Sequence, residues 1–394
     1  MDAKLKVLMF GWELPPYNSG GLGVACLGLA RALAKRNVDI RFVLPKKVDV
    51  DYNFMDITFA NIKETTDLKS SYTTSMLERT ESAEDLPSDF VRAALAFGEK
   101  ALDLAKKMEC DVIHSHDWLS FPAGVAAKEV LGKPLITHVH STEFDRTGGH
   151  YPNRRVYEIE RDGLIAADRV ISLSQLQRDI LINNYGLDRN KIEIVTNGIE
   201  KVKEERLPPA LVPLKQMGYK IVLYLGRITL HKGPEYFIRA AAKVLQFNPK
   251  AIFVIVGSGD MQEYMMNEAA RMGIIDKVVF TGFLRGEEKN RVWQSADVYV
   301  MPSVSEPFGL TALESISNET PVILSKQSGV AEVLDNALKV DFWDTDEIAN
   351  KILAVLEYPS LGRDLRKEGI RELSNISWDD SADKCIGIYK RLVK

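Results

Sequence analysis

The run from Val298 to Leu324 constrains the fold of this chain more than any other stretch. It opens with four apolar residues, Val298 to Met301, and closes with a second short apolar run, Pro321 to Leu324. Between them lie a Pro/Gly turn and a helical pattern that begins at Gly309. Apolar runs this short suit buried strands, so the segment predicts strand, loop, helix, strand. In a parallel sheet the loop at the carboxyl end of a strand opens onto the ligand crevice. Glu306, in that loop, is expected to face a ligand.

A helix starting near Gly309 presents unpaired backbone N–H groups and the positive end of its dipole, which suits a phosphate or a sugar oxygen. Glu306, held by Pro307 just before that end, can accept hydrogen bonds from sugar hydroxyls. Glu314, about a turn and a half into the helix, can hold a vicinal diol such as a ribose. The plainer reading of either residue alone is a helix cap for Glu306 and a solvated helical position for Glu314.

The chain has 394 residues. That exceeds the usual size of a single core and predicts two domains of about 150 to 200 residues. With 45% hydrophobic and 27% charged residues the composition is that of a globular protein. A net charge of −4 gives no general attraction to nucleic acid or to an anionic membrane. Cys26, Cys110 and Cys385 are odd in number and far apart, which argues against a disulfide framework and suits a reducing compartment. The apolar run near the amino terminus, Val7 to Trp12, is too short for a signal segment, and no run approaches the roughly 18 apolar residues of a membrane span. These features predict a cytoplasmic location.

Taken in order, the chain alternates buried strands with helical patterns. A first strand, Lys6 to Phe10, runs through Glu13 into a cluster of Gly20, Gly21 and Gly23 that opens a helix. Glycines there let a ligand approach the backbone, although a tight strand-to-helix turn would need them anyway. The spacing is not that of the G-x-G-x-x-G dinucleotide fingerprint. A polar segment from about Lys46 to Asp89 reads as a long irregular insertion, of the kind that forms lids. A strand ending at His114 leads into His116 and Asp117, and another leads into His138 and His140, both pairs at strand ends. His114 and His116 can share a strand face, but no third ligand is evident at metal spacing, so no zinc site is expected. His138 and His140 are read as lining an acceptor side, with core or rim histidines as the alternative.

Three prolines between Glu200 and Met217 mark a linker. Beyond it, strand Lys220 to Leu225 enters a loop with two cations, Arg227 and Lys232. Glycine turns at Gly257 and around Leu284 follow the next strands. Two D-x-D triplets, Asp49 to Asp51 and Asp344 to Asp346, are not read as metal sites: the first lies in the polar segment and the second reads as a helix cap.

The string EPFGLTALE resembles the E-x7-E motif of the retaining nucleotide-sugar glycosyltransferases of family four, relatives of the glycogen and starch synthases. The resemblance extends over nearly the whole chain through the glycine loop, HDW, T-N-G-x-E and G-R-x-x-x-x-K-G. It departs at Asn18, Ser19, Gly20, Gly21, where bacterial ADP-glucose glycogen synthases carry K-x-G-G. The resemblance implies an α/β fold of the GT-B kind, with two Rossmann-like, doubly wound domains facing across a cleft. Residues 1–200 would be the acceptor domain, 201–375 the donor domain and 376–394 a helix returning to the first.

By the same resemblance His116, Arg227, Lys232 and Glu306 are the catalytic group. Donor contacts fall on Gly20, Gly21, Arg227, Lys232, Gly257, Leu284, Glu306, Phe308, Gly309, Leu310, Thr311 and Glu314. Glu13, His138 and His140 are assigned to the acceptor side. The implied substrate is a nucleoside-diphosphate sugar, ADP- or UDP-glucose first, with a carbohydrate acceptor, no cofactor and no metal. A phosphorylase and a nucleotide-sugar 2-epimerase share the architecture, and a non-catalytic sensor is the third alternative.

Overall fold

The computed structural model describes residues 4–17, 20–63, 88–200 and 212–393. Two parallel sheets organise them. In the first, the seven strands β1 (Lys6–Phe10), β2 (Asp39–Leu44), β3 (Asp56–Phe59), β4 (Val112–His116), β5 (Leu135–His138), β6 (Arg169–Ser172) and β7 (Ile192–Ile194) lie in the order β3-β2-β1-β4-β5-β6-β7. The second has six strands, β8 (Lys220–Leu225), β9 (Ala251–Val256), β10 (Val278–Gly282), β11 (Val298–Met301), β12 (Val322–Ser325) and β13 (Leu338–Val340), in the order β10-β9-β8-β11-β12-β13. Both are doubly wound, as expected from the alternation of short apolar runs with helices.

Strand residues point alternately to the two faces, so each sheet feeds two cores. In β1, Leu8 and Phe10 join one cluster while Val7 and Met9 join the other. In β8, Val222 and Tyr224 separate from Ile221 and Leu223 in the same way. The runs are apolar throughout because both faces are covered by helices.

The final helix, Trp378–Leu392, packs against the first helix, Gly21–Lys35. Trp378, Ala382, Cys385 and Tyr389 enter the same core as Leu22, Cys26 and Leu29. The indole of Trp378 lies so close to Gly28 that a β-carbon there would overlap it.

One expectation is corrected here. The polar segment from Lys46 to Asp89 is not wholly irregular, because Asp56–Phe59 forms edge strand β3, paired in parallel with β2 from Arg41↔Asp56 to Leu44↔Phe59. The apolar residues Ile57 and Phe59 supply the signal, diluted by their polar neighbours. The proposed lid falls mainly on residues 64–87, outside the described residues, and the expected linker lies largely in 201–211, also outside them.

Candidate active site

Each sheet reverses its winding at one point, between β1 and β4 in the first and between β8 and β11 in the second. Loops leaving adjacent strands diverge there and open a crevice at the carboxyl ends. The glycine loop after β1 and the His116–Asp117 segment of β4 flank the first crevice. The Arg227–Lys232 loop after β8 and the Glu306 loop after β11 flank the second. The motif-bearing segments thus collect at the two positions where a doubly wound sheet can bind a ligand.

The two crevices face each other. A β-carbon placed on Gly21 would have Leu310 Cδ1 as its nearest neighbour, at 3.7 Å. Gly21 is the first residue of helix Gly21–Lys35, and Leu310 is the first of helix Leu310–Ser317. Their caps, Gly20 and Gly309, carry no side chain able to bond the first-turn amides. Two helix amino termini therefore meet across the cleft, a juxtaposition that favours an anion between them. Glu13 takes one of these amides, accepting from Gly23 N at 3.3 Å. That places Glu13 at the glycine loop.

Glu306 is buried and accepts a charge-assisted bond from Lys232 Nζ at 2.6 Å. Its neighbours are tied across the cleft: Ser305 Oγ donates to Asp145 Oδ1 at 2.7 Å, and Ser174 Oγ donates to the Pro307 carbonyl at 2.8 Å. The loop carrying Glu306 is thus clamped between the lobes. Glu332 adds a third cross-lobe contact by capping helix Gln175–Tyr185, accepting from Gln175 N and Leu176 N at 2.7 Å each. Arg285 adds a fourth, donating to the Pro16 carbonyl at 3.2 Å.

Gly309 has φ of 111°, a conformation that disfavours a side chain, and it aims the following amides. Glu314 is half-buried and pairs with Lys289 Nζ at 3.0 and 3.1 Å. A cavity of about 260 Å³ adjoins it between the lobes, lined by Leu310, Lys289, Arg31, Gly28 and Trp378. Lys289 has no counterpart in the sequence reading, because nothing in the solvated pattern GEEKNR separates it from a surface lysine.

Several residues around the cleft take part through their backbone or as supports. Phe308 is 2% exposed and sits in the core, with its carbonyl accepting from Val330 N, so its side chain does not face the cleft. Tyr299 Oη donates to the Leu225 carbonyl at 3.1 Å and lies 2.9 Å from Thr311 Oγ1, linking helix Leu310–Ser317 to the end of β8. Gly257, at φ 139°, packs so tightly on Gly226 that a β-carbon would overlap the Gly226 carbonyl oxygen; it shapes the Arg227 loop. Leu284 is half-buried on the turn after β10. His231, between the two cations, is buried, and desolvation followed by Lys232 and Arg227 holds its pKa well below the usual range.

The histidines differ from expectation. His116 is not presented to the cleft: it is fully buried, with Nδ1 3.1 Å from His140 Nε2. His138 is 2% exposed, in keeping with the alternative of a core histidine. Of this group only His140 is half-buried, and desolvation lowers its pKa to about 3. The two-residue period of a strand explains this, since the face carrying His116 and His138 is the one covered by the first and last helices. Asp117 organises the rim, with Oδ1 accepting from His140 N at 3.2 Å and Ser141 N at 3.3 Å.

Asp344 caps helix Thr345–Glu357 by accepting from Glu347 N, as its pattern suggested. Asp51 lines a surface hollow of about 700 Å³ beside Arg31 and Lys35, two cations that disfavour a divalent ion there.

Residues 19–202 match the family model described as Glycosyltransferase Family 4, and residues 212–372 match that of the glycosyl transferases group 1. An uncharacterised glycosyltransferase of Methanocaldococcus jannaschii is 30% identical over 98% of each chain. The glycogen synthase of Mycobacterium tuberculosis is 26% identical over 98% of this chain and 94% of its own. Among solved structures, an Anabaena protein in complex with UDP and glucose superposes with a TM-score of 0.71 at 17% identity, over 98% of this chain and 99% of that one.

Proposed function

The chain belongs to the family 4 glycosyltransferases with the two-lobed GT-B architecture, and from that premise we propose that it transfers glucose, with retention of anomeric configuration, from a nucleoside-diphosphate sugar to a carbohydrate acceptor. ADP- and UDP-glucose are the first donors to consider, and a glucan is the first acceptor, ahead of another glycoside or a lipid-linked sugar. The observation that carries the reading is the convergence at one cleft of two helix amino termini whose cap residues, Gly20 and Gly309, carry no side chain, with the Lys232–Glu306 pair. Little besides a diphosphate joined to a polyol would use all of these groups together.

The chemistry follows from charge. Transfer breaks the bond between the anomeric carbon and the diphosphate oxygen, and the electron pair leaves with the diphosphate. Lys232, Arg227 and the two helix ends supply fixed positive potential for that charge. An acceptor hydroxyl attacks on the face the diphosphate leaves, and its proton passes to the departing phosphate oxygen, so no side chain is assigned as general base. In the free protein Glu306 neutralises Lys232 at 2.6 Å. A bound diphosphate competes for Lys232 and releases Glu306 to accept from sugar hydroxyls. Glu314 accepts from the ribose diol in the same exchange with Lys289.

The test is a donor screen that measures released nucleoside diphosphate, with and without candidate acceptors, in the presence of chelator. Acceptor-dependent release, lowered roughly 10²- to 10³-fold in Lys232→Ala, Arg227→Ala and Glu306→Gln, supports the reading. Formation of a sugar 1-phosphate from free phosphate, or of a new sugar nucleotide without an acceptor, overturns it in favour of a phosphorylase or an epimerase.

A further inference from the structure

The register of β4 on β5 builds something that neither strand shows alone. His116 pairs with His138 and His114 with Ile136, so the alternation of each strand places His114, His116 and His138 on one face of the sheet. All three side chains are buried. The ring of His114 stacks on His116 with centroids 4.3 Å apart and on His138 at 5.4 Å, while His138 is tilted against His116 at 5.2 Å. One ring nitrogen from each lies within 4.8 Å of those of the other two.

Buried polar groups are almost always bonded, and this group is an exception. His114 Nε2, His116 Nε2 and both ring nitrogens of His138 are buried with no hydrogen-bond partner. The opposite nitrogens of two rings are engaged: His114 Nδ1 lies 2.7 Å from Tyr389 Oη, and His116 Nδ1 lies 3.1 Å from His140 Nε2. In His114 and His116 one ring nitrogen is held by hydrogen bonding while the other stays free, the pattern that orients imidazole ligands around a metal, and His138 has both nitrogens free. Burial favours the neutral form of all three rings, the form that binds metals.

We propose that His114, His116 and His138 form a binding site for a first-row divalent transition metal, zinc being the preferred occupant, beneath the donor cleft. Three imidazoles leave a fourth position for water, which suits tetrahedral zinc or cobalt. Bringing nitrogens now up to 4.8 Å apart to the roughly 3.3 Å edge of such a tetrahedron requires ring rotations about the soft Cβ–Cγ torsion. His138 comes beside the other two through sheet pairing and not through sequence spacing. The ion ties β4 to β5 behind the cleft and takes no part in breaking the donor bond.

Cobalt(II) is the probe. Titration of metal-free protein is expected to give one equivalent with the intense visible absorption of a four-coordinate ion, and zinc is expected to displace it and raise the unfolding temperature. His114→Gln and His138→Gln, each shown to be folded by circular dichroism, lose the absorption. Tyr389→Phe, which frees the outer nitrogen of His114, weakens binding about 10- to 100-fold. Cys26→Ser leaves the spectrum unchanged. A cobalt spectrum that remains that of the aqueous ion overturns the site. So does a sulfur-to-cobalt band lost in Cys26→Ser, which would move the ion to the neighbouring Cys26, His116 and His140 group. These readouts need no sugar donor, so their failure is independent of any failure of glycosyl transfer.

Discussion

Lys232 and Glu306 hold each other in a partly buried pair, with side chains 19% and 11% exposed, so each is the other's main compensation for lost hydration. Removing one charge exposes that dependence. Lys232→Ala and Glu306→Gln are each expected to lower stability by about 1 to 3 kcal/mol, measured by urea unfolding, with the double variant costing less than the sum. A strictly additive cycle would mean that the two groups do not act as a unit. His231, in the same loop, gives a pH signature. Its folded pKa lies below the unfolded value of about 6.5, so below that pH the unfolded chain binds a proton that the folded chain refuses. Stability is complete above pH 6.5 and falls on acidification, by up to about 1.4 kcal/mol per pH unit from this group. His231→Gln is expected to reduce the slope between pH 6.5 and 5 by one group's share, the buried His114, His116, His138 and His140 carrying the rest; an unchanged slope would show that His231 carries none of it.

At the scale of elements, the last helix is part of the first lobe's core. Trp378 and Tyr389 are buried there, and Trp378→Ala is expected to destabilise the protein by about 3 to 5 kcal/mol, read from denaturant midpoints, whereas a loss below 1 kcal/mol would place the indole outside the core. Such elements were legible in the sequence. The apolar runs of β1, β8 and β11 and the glycines that open the following helices specify strand and helix locally, and Asp344 was recognisable as a cap. Strand β3 was obscured because an edge strand buries little and its pattern is diluted. Contacts made by register or across lobes were not legible. Nothing in the spacing of His116 and His138 shows that they stand opposite each other, and Glu332 caps a helix that begins 157 residues earlier.

At the scale of the whole molecule, polar contacts among the described residues join the lobes, two of them on the loop that carries Glu306. Ser305 bonds Asp145, Pro307 bonds Ser174, and Arg285 bonds the Pro16 carbonyl. Burial raises the pKa of Asp145, and Ser305 is among the donors that favour its charged form. Ser305→Ala is expected to loosen closure without unfolding either lobe, seen as a larger radius of gyration in solution scattering and a raised KM for donor; scattering and KM equal to wild type would remove this bond from closure. The central claim is that the cleft binds a diphosphate between the Lys232 loop and two helix ends. Calorimetric titration of UDP and ADP, with uridine and adenosine as controls, tests it most directly in wild type and Lys232→Ala. The account predicts that a diphosphate binds, that the matching nucleoside binds far more weakly, and that Lys232→Ala loses about 10- to 100-fold in diphosphate affinity. Equal affinity for nucleoside and diphosphate, or undiminished binding in Lys232→Ala, would contradict it.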